Sequence, residues 1–185
     1  LAPAFHRGVF ARTDREVAVL NVGGIANLTL LPPAGPVLGF DCGPGNVLMD
    51  LWCERHLGQP YDAGGRWAAS GRVAAALLTL LRAEPWLTLP PPKSTGRDLF
   101  HANWLQERLD ALPALAAEDV QATLCEFTAA CCAEHLRRHA PATAELVVCG
   151  GGAYNEHLLS RLAALLPGCR VVTSGERGLP PLQVE

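Results

Sequence analysis

An aspartate stands inside "GFDCGPGNVLMDLW" (Gly39 to Trp52), between an apolar run and a glycine-proline-glycine turn that opens a second apolar segment. A carboxylate at the end of a strand lies where open α/β sheets place their ligands, and there it can act as a base or help hold a metal. A plainer role is also open: Asp41 can accept hydrogen bonds from the N–H groups of its own turn. Gly43 and Gly45 give that turn the look of a glycine-rich loop, but Leu48 breaks the G-x-G-x-x-G spacing.

Two further glycine clusters have the chemistry of anion sites. In "NVGGIANLT" (Asn21 to Thr29), Gly23 and Gly24 join two strand-like runs. Glycines able to take positive φ can turn successive N–H groups toward phosphate oxygens, although an ordinary hairpin reads the same. In "VVCGGGAYNEHLL" (Val147 to Leu159), Gly150, Gly151 and Gly152 lie between a strand and a helix. Without Cβ atoms they let a diphosphate or a flat ring approach the backbone beside a helix N-terminus. A tight turn with Asn155 as helix cap is the bland alternative. The dinucleotide fingerprint is incomplete, because Asn155 stands where the third glycine belongs, while Glu176 beyond the next strand keeps a ribose-binding acid open.

The remaining polar candidates are weaker. "PPPKSTGRDLF" holds the chain's only lysine, and Lys93 and Arg97 can meet an anion, but no P-loop glycines precede them. Asp62 and Arg66 in "YDAGGRWAASG" suit a solvated loop equally well. Cys131, His135 and His139 share one helix face, yet no fourth ligand is evident, so no metal is assigned. No serine sits in a G-x-S-x-G elbow.

These groups need elements to position them. Val17–Val22, Asn27–Leu31 and Val37–Asp41 read as three strands joined by tight turns, an antiparallel meander. Helices are expected at Asn46–Leu57 with Asn46 as cap, Arg72–Arg82, Asn103–Leu109, Ala117–His139 and Glu156–Leu166. Strands are expected at Glu145–Cys149 and around "RVVT". The meander followed by alternating helix and strand is the plan of the ribonuclease-H-like domain. A doubly wound sheet is the runner-up. The chain has 185 residues, 49% of them hydrophobic and 18% charged, enough for one domain with a real core. A net charge of −3 gives no electrostatic case for nucleic acid or an anionic membrane, and no apolar run is long enough for a membrane span. Seven cysteines without C-x-x-C read as buried, reduced thiols of a cytoplasmic protein.

Taken together, "LNVGGIANLT", "GFDCGPGNVLMDLW", "YDAGGRWAASG", "PPKSTGRDLF" and "VVCGGGAYN" resemble, in order and approximate spacing, the anhydro-N-acetylmuramic acid kinases. The resemblance covers nearly the whole chain. It implies an actin-like sugar kinase fold, cytoplasmic location, a homodimer, and ATP with Mg2+ as cofactors. It also implies an amino-sugar substrate whose 1,6-anhydro ring is opened by water as O6 receives the γ-phosphoryl group. By resemblance Asp41 is the base; Asn21, Gly23 and Gly24 belong to a phosphate loop, with Gly43 and Gly45 near the phosphates. Gly150, Gly151 and Gly152 form the adenosine loop, and Glu185 is the acid near the sugar. Residues 1–185 then correspond to the second domain, with a helical insert at about 58–116. The first domain, with its own phosphate loop, is absent from this sequence, so the chain is expected to be inactive alone. A nucleotide- or dinucleotide-binding module without catalysis is the alternative.

Overall fold

The computed structural model describes residues 2–184. Strands β1 (Val17–Val22), β2 (Ile25–Leu31) and β3 (Leu38–Pro44) form the expected antiparallel meander, with Val17 opposite Leu31 and Leu28 opposite Phe40. Strand β4 (Glu145–Cys149) lies parallel to β1, and β5 (Arg170–Thr173) parallel to β4, giving one sheet in the order β3-β2-β1-β4-β5. The antiparallel β1–β3 meander beside parallel β4 and β5 matches the ribonuclease-H-like plan rather than the doubly wound runner-up.

Successive side chains of a strand point to opposite faces, and the sheet is used on both. From β1, Ala18, Leu20 and Val22 enter the larger core, while Val17 and Val19 enter a smaller one with Phe10, Leu31, Val147, Val172 and Val184. Helix α1 (Ala2–Phe10) covers part of the smaller face; buried His6 holds it there, its Nδ1 3.0 Å from Thr29 Oγ1. Pro3 and Gly8 hide this helix from a propensity reading, and none was expected.

The larger face carries α2 (Val47–Leu57) and α6 (Ala117–His139). Helix α6 is buried without interruption from Val120 to Ala133, so it runs through the core and shows no polar stripe there. Three short helices, α3 (Arg66–Ser70), α4 (Ala75–Arg82) and α5 (Ala102–Asp110), lie between α2 and α6 in sequence; α3 and α4 pack on α6, α5 on α2 and α4. The expected helix from Arg72 starts instead at Ala75. The Arg72 and Ala74 amides donate to Asp119 Oδ1 and Thr123 Oγ1, which fixes the preceding backbone against α6. Helix α7 (Glu156–Leu165) packs on α6 and is capped by Asn155, whose Oδ1 accepts from Leu158 N at 2.9 Å. Six of the seven cysteines are buried, and no helix among the described residues is long and apolar enough to cross a membrane.

Candidate active site

Three backbone segments converge at the C-terminal ends of β1, β3 and β4. The Gly23-Gly24 turn meets the start of α2 through its carbonyls: Gly23 O accepts from Asn46 N at 2.8 Å, and Gly24 O accepts from Gly45 N at 2.9 Å and Val47 N at 3.1 Å. The hairpin therefore holds the entry to the helix. Asn46 occupies the expected N-cap position, but its side chain makes no capping bond; Nδ2 donates to Val22 O at 3.2 Å, tying α2 to β1. Thr128 of α6 completes the frame, its Oγ1 within 3.1 Å of Pro44 O and 2.8 Å of Gly45 O.

The glycines at this edge divide by what a Cβ would meet. At Gly45 it would lie 2.1 Å from Gly23 O, and at Gly152 it would lie 2.4 Å from the Val22 side chain. Gly150 has φ of +76° and would press on Asn21 Oδ1 at 2.3 Å, while Gly43 has φ of +152° and abuts Cys131. These four are required by the chain's own packing. A Cβ at Gly24 would meet nothing within 4 Å, and one at Gly23 or Gly151 only atoms at 3.8 and 3.6 Å. Neither Gly23 nor Gly24 takes the positive φ their sequence allows. At Gly23, Gly24 and Gly151 the chain itself leaves the space open.

That space belongs to two adjoining cavities. One, of about 360 Å³, is lined by Asn46, Asp50, Asp62, Gly151, Tyr154 and Leu182 among others; the second, of about 480 Å³, is lined by Gly23, Gly24, Asn46, Asp50, Arg97 and Gly151 among others. Asn46, Asp50 and Gly151 form their common wall. Tyr61, Tyr154 and Leu182 are 61%, 56% and 60% exposed, and all three line the first cavity, a surface suited to a flat ring. Burial pushes the Asp50 carboxyl up to about 6, with Asp62 adding to the rise and Arg97 opposing it. Asn21 Oδ1 is buried beside Gly150 with no hydrogen-bond partner. Sequence reading missed Asp50, Tyr61, Tyr154 and Leu182. Asp50 sits in an ordinary helical turn, and the other three read as loop residues until the fold brings them together.

Asp41 lies elsewhere on the same sheet. It was expected to end its strand, but β3 continues to Pro44 through a bulge at Cys42, so Asp41 sits within the edge strand. Paired residues share a face, which places Asn21, Asn27 and Asp41 in one half-exposed polar row one step below the turns. Asp41 lines neither cavity. Its carboxylate does not bond its own turn either: Oδ2 accepts from Thr95 N at 2.9 Å.

The other candidates separate clearly. Asp62 accepts from Trp67 N and Ala68 N at 2.9 Å, capping α3 while lining the first cavity; Arg66 is exposed and lines neither cavity. Lys93 turns inward, and Arg97 faces the second cavity. Burial holds the His135 imidazole down at about 4, its Nδ1 bonded to Cys131 O, and no group of three metal-binding side chains occurs among the described residues. Glu176 accepts from Thr173 N and lies outside both cavities, so nothing supports it as a ribose acid. Glu185 falls outside the described residues.

A family model for anhydro-N-acetylmuramic acid kinase matches residues 1–185. Anhydro-N-acetylmuramic acid kinases of Variovorax paradoxus and Ralstonia nicotianae are 58% and 55% identical over the whole chain. The chain spans about half of each relative, 51% and 50% of their lengths. Among solved structures, an activator of 2-hydroxyisocaproyl-CoA dehydratase from Clostridium difficile superposes with a TM-score of 0.62 at 14% identity, over 97% of this chain and 60% of that one. A xylulose kinase from Rhodospirillum rubrum superposes with a TM-score of 0.57 at 15% identity, over 99% of this chain and 38% of that one. At such identities these neighbours establish the fold, that of actin-like ATPases and sugar kinases. At the level of sequence, the chain belongs to the anhydro-N-acetylmuramic acid kinase family.

Proposed function

We propose that this chain supplies the second domain, with residues 58–116 as its helical insert, of a kinase that opens 1,6-anhydro-N-acetylmuramic acid and phosphorylates it. Water adds to the anomeric carbon, the bond from that carbon to O6 breaks, and O6 receives the γ-phosphoryl group of ATP, leaving N-acetylmuramic acid 6-phosphate and ADP. Asp41 takes the proton that the attacking water gives up. A base is needed there because neutral water is a poor nucleophile, and a positioned carboxylate typically contributes 10²–10⁴-fold.

The observation that carries the nucleotide half of this reading is Gly151. Its Cβ position is open, and it belongs to the wall shared by a tyrosine-lined cavity and the cavity lined by Gly23 and Gly24. The base and ribose fit the first cavity, with Gly150, Gly151 and Gly152 as the adenosine loop; the phosphates fit the second, beside Asn21, Gly23, Gly24 and Arg97. Gly43 and Gly45 act indirectly, as packing that holds the turn. The Clostridium difficile activator, of the same fold, carries bound ADPNP, a nucleotide of this class. Mg2+ keeps most of its waters and leans on one or two carboxylates and the nucleotide's own phosphates. Asp50, whose carboxylate makes no hydrogen bond among the described residues, would hold it there. When bound, the ion would neutralise charge on the transferring group. Glu185 is assigned to the sugar, and the protein to the cytoplasm as a homodimer.

The test is Asp41→Asn in a full-length family member containing this chain. Turnover should fall roughly 10²–10⁴-fold while ATP affinity and melting temperature stay near normal. Near-normal turnover in folded protein removes Asp41 from the mechanism.

A further inference from the structure

Asp41 is held from outside its own turn. The segment Lys93–Thr95 lies along the open edge of β3: Asp41 N donates to Lys93 O at 3.0 Å, and Thr95 N donates to Asp41 Oδ2 at 2.9 Å. This segment is itself fastened. Lys93 Nζ donates to Trp86 O at 3.2 Å and Leu87 O at 3.0 Å and lies 4.4 Å from the Trp86 ring centroid, while Trp86 Nε1 donates to Ser94 O at 3.1 Å. Trp86 in turn meets Phe100 edge to face at 6.1 Å, Phe100 meets Trp104 at 5.1 Å, and Trp104 stacks on Phe127 of α6 at 6.0 Å. A continuous packed path therefore runs from the buried central helix to one oxygen of the carboxylate.

We propose that Lys93 and the Thr95 amide are positioning groups for Asp41: the lysine locks the loop, and the loop's N–H fixes Oδ2, leaving Oδ1 to take the proton. This rests on the reading of Asp41 as the base. A lysine used in this way spends its ammonium on two carbonyls, which explains why the chain's only lysine faces inward and lines neither cavity. Hydrogen bonds from a charged donor are stronger than those from a neutral one, and small displacements of a reacting group are costly to rate.

The experiment uses a full-length family member containing this chain and four variants: Lys93→Met, Lys93→Arg, Thr95→Pro and Asp41→Asn. Lys93→Met keeps the stem over Trp86 but removes both donors. It should lower kcat by about 10- to 100-fold with KM for ATP unchanged, and Lys93→Arg should restore most of the loss. Hydrogen exchange at the Thr95 amide, slow in the parent, should quicken at least tenfold in Lys93→Met. Thr95→Pro removes the donor directly and should reproduce the kcat loss even if the lysine variant folds poorly. Parent-like kcat in folded Lys93→Met and Thr95→Pro, with Asp41→Asn inactive, overturns the clamp and leaves the base. Near-normal turnover of Asp41→Asn overturns both. A fall in melting temperature with kcat unchanged marks a purely structural loop and also overturns the clamp.

Discussion

Glycines that look alike in sequence do different work at this site. Gly152 is needed because a Cβ would strike Val22, whereas Gly151 faces open space on the wall between two cavities. Gly151→Val should therefore weaken ATP binding at least tenfold with a nearly unchanged melting temperature, as measured by calorimetry on the full-length protein. Gly152→Ala should instead destabilise by about 1–3 kcal/mol through overpacking. Unchanged affinity in folded Gly151→Val would remove the adenosine-loop assignment. Asp50 carries a pH prediction. Burial raises its carboxyl to about 6 from an ordinary 3.8, so the folded state holds a proton that the unfolded chain has released. Stability from this group therefore falls as pH rises from about 4 to 6, and above that window its ionised form is a standing cost. Asp50→Asn should melt higher than the parent at pH 7–8, and the gain should vanish below pH 4. If the carboxylate serves the Mg–ATP complex, the same variant should bind that complex less well. Parent-like melting at pH 7–8 would contradict the burial argument.

At the scale of elements, the junction of β3 and α2 at Pro44 and Gly45 is held by α6. The Thr128 hydroxyl lies against two buried carbonyls of that junction, and a single O–H is shared between them. Thr128→Val keeps the shape and deletes the donor, which should cost about 1–3 kcal/mol in denaturant unfolding. It should also loosen Gly45, whose amide bonds Gly24 O. A loss below a few tenths would mean that the junction does not depend on α6. The elements themselves were largely legible in sequence. The β1–β3 meander shows as short apolar runs punctuated by glycine and proline turns, and α6 as a long stretch free of both residues. What failed were details decided by tertiary partners. Asn46 stands at the cap position its residue type suggests, yet its side chain donates to Val22 O across the fold rather than accepting from the first turn of the helix. Asp41 reads in sequence as the end of a strand, because the bulge at Cys42, which carries the strand on to Pro44, leaves no mark in the residue string.

On the scale of the whole molecule, one sheet edge organises everything assigned to function. The cavities lie where β1 and β4 end, beside α2, while Asp41 stands one row below on the edge strand, held by the 93–95 segment. Sequence strings identified the family because they mark backbone turns, where residue type is tightly constrained by geometry. They did not disclose the pocket walls, since Tyr61, Asp50, Tyr154 and Leu182 are far apart in sequence and meet only through the packing of α2, α7 and the C-terminal loop. The central claim is that this edge belongs to a kinase that couples ring opening to phosphorylation. Its direct measurement follows ATP, Mg2+ and 1,6-anhydro-N-acetylmuramic acid with a full-length family member containing this chain. The account predicts one sugar 6-phosphate formed for each ATP consumed, and almost no ATP consumption when the sugar is left out. Saturable ATP binding with no sugar phosphate formed would contradict it.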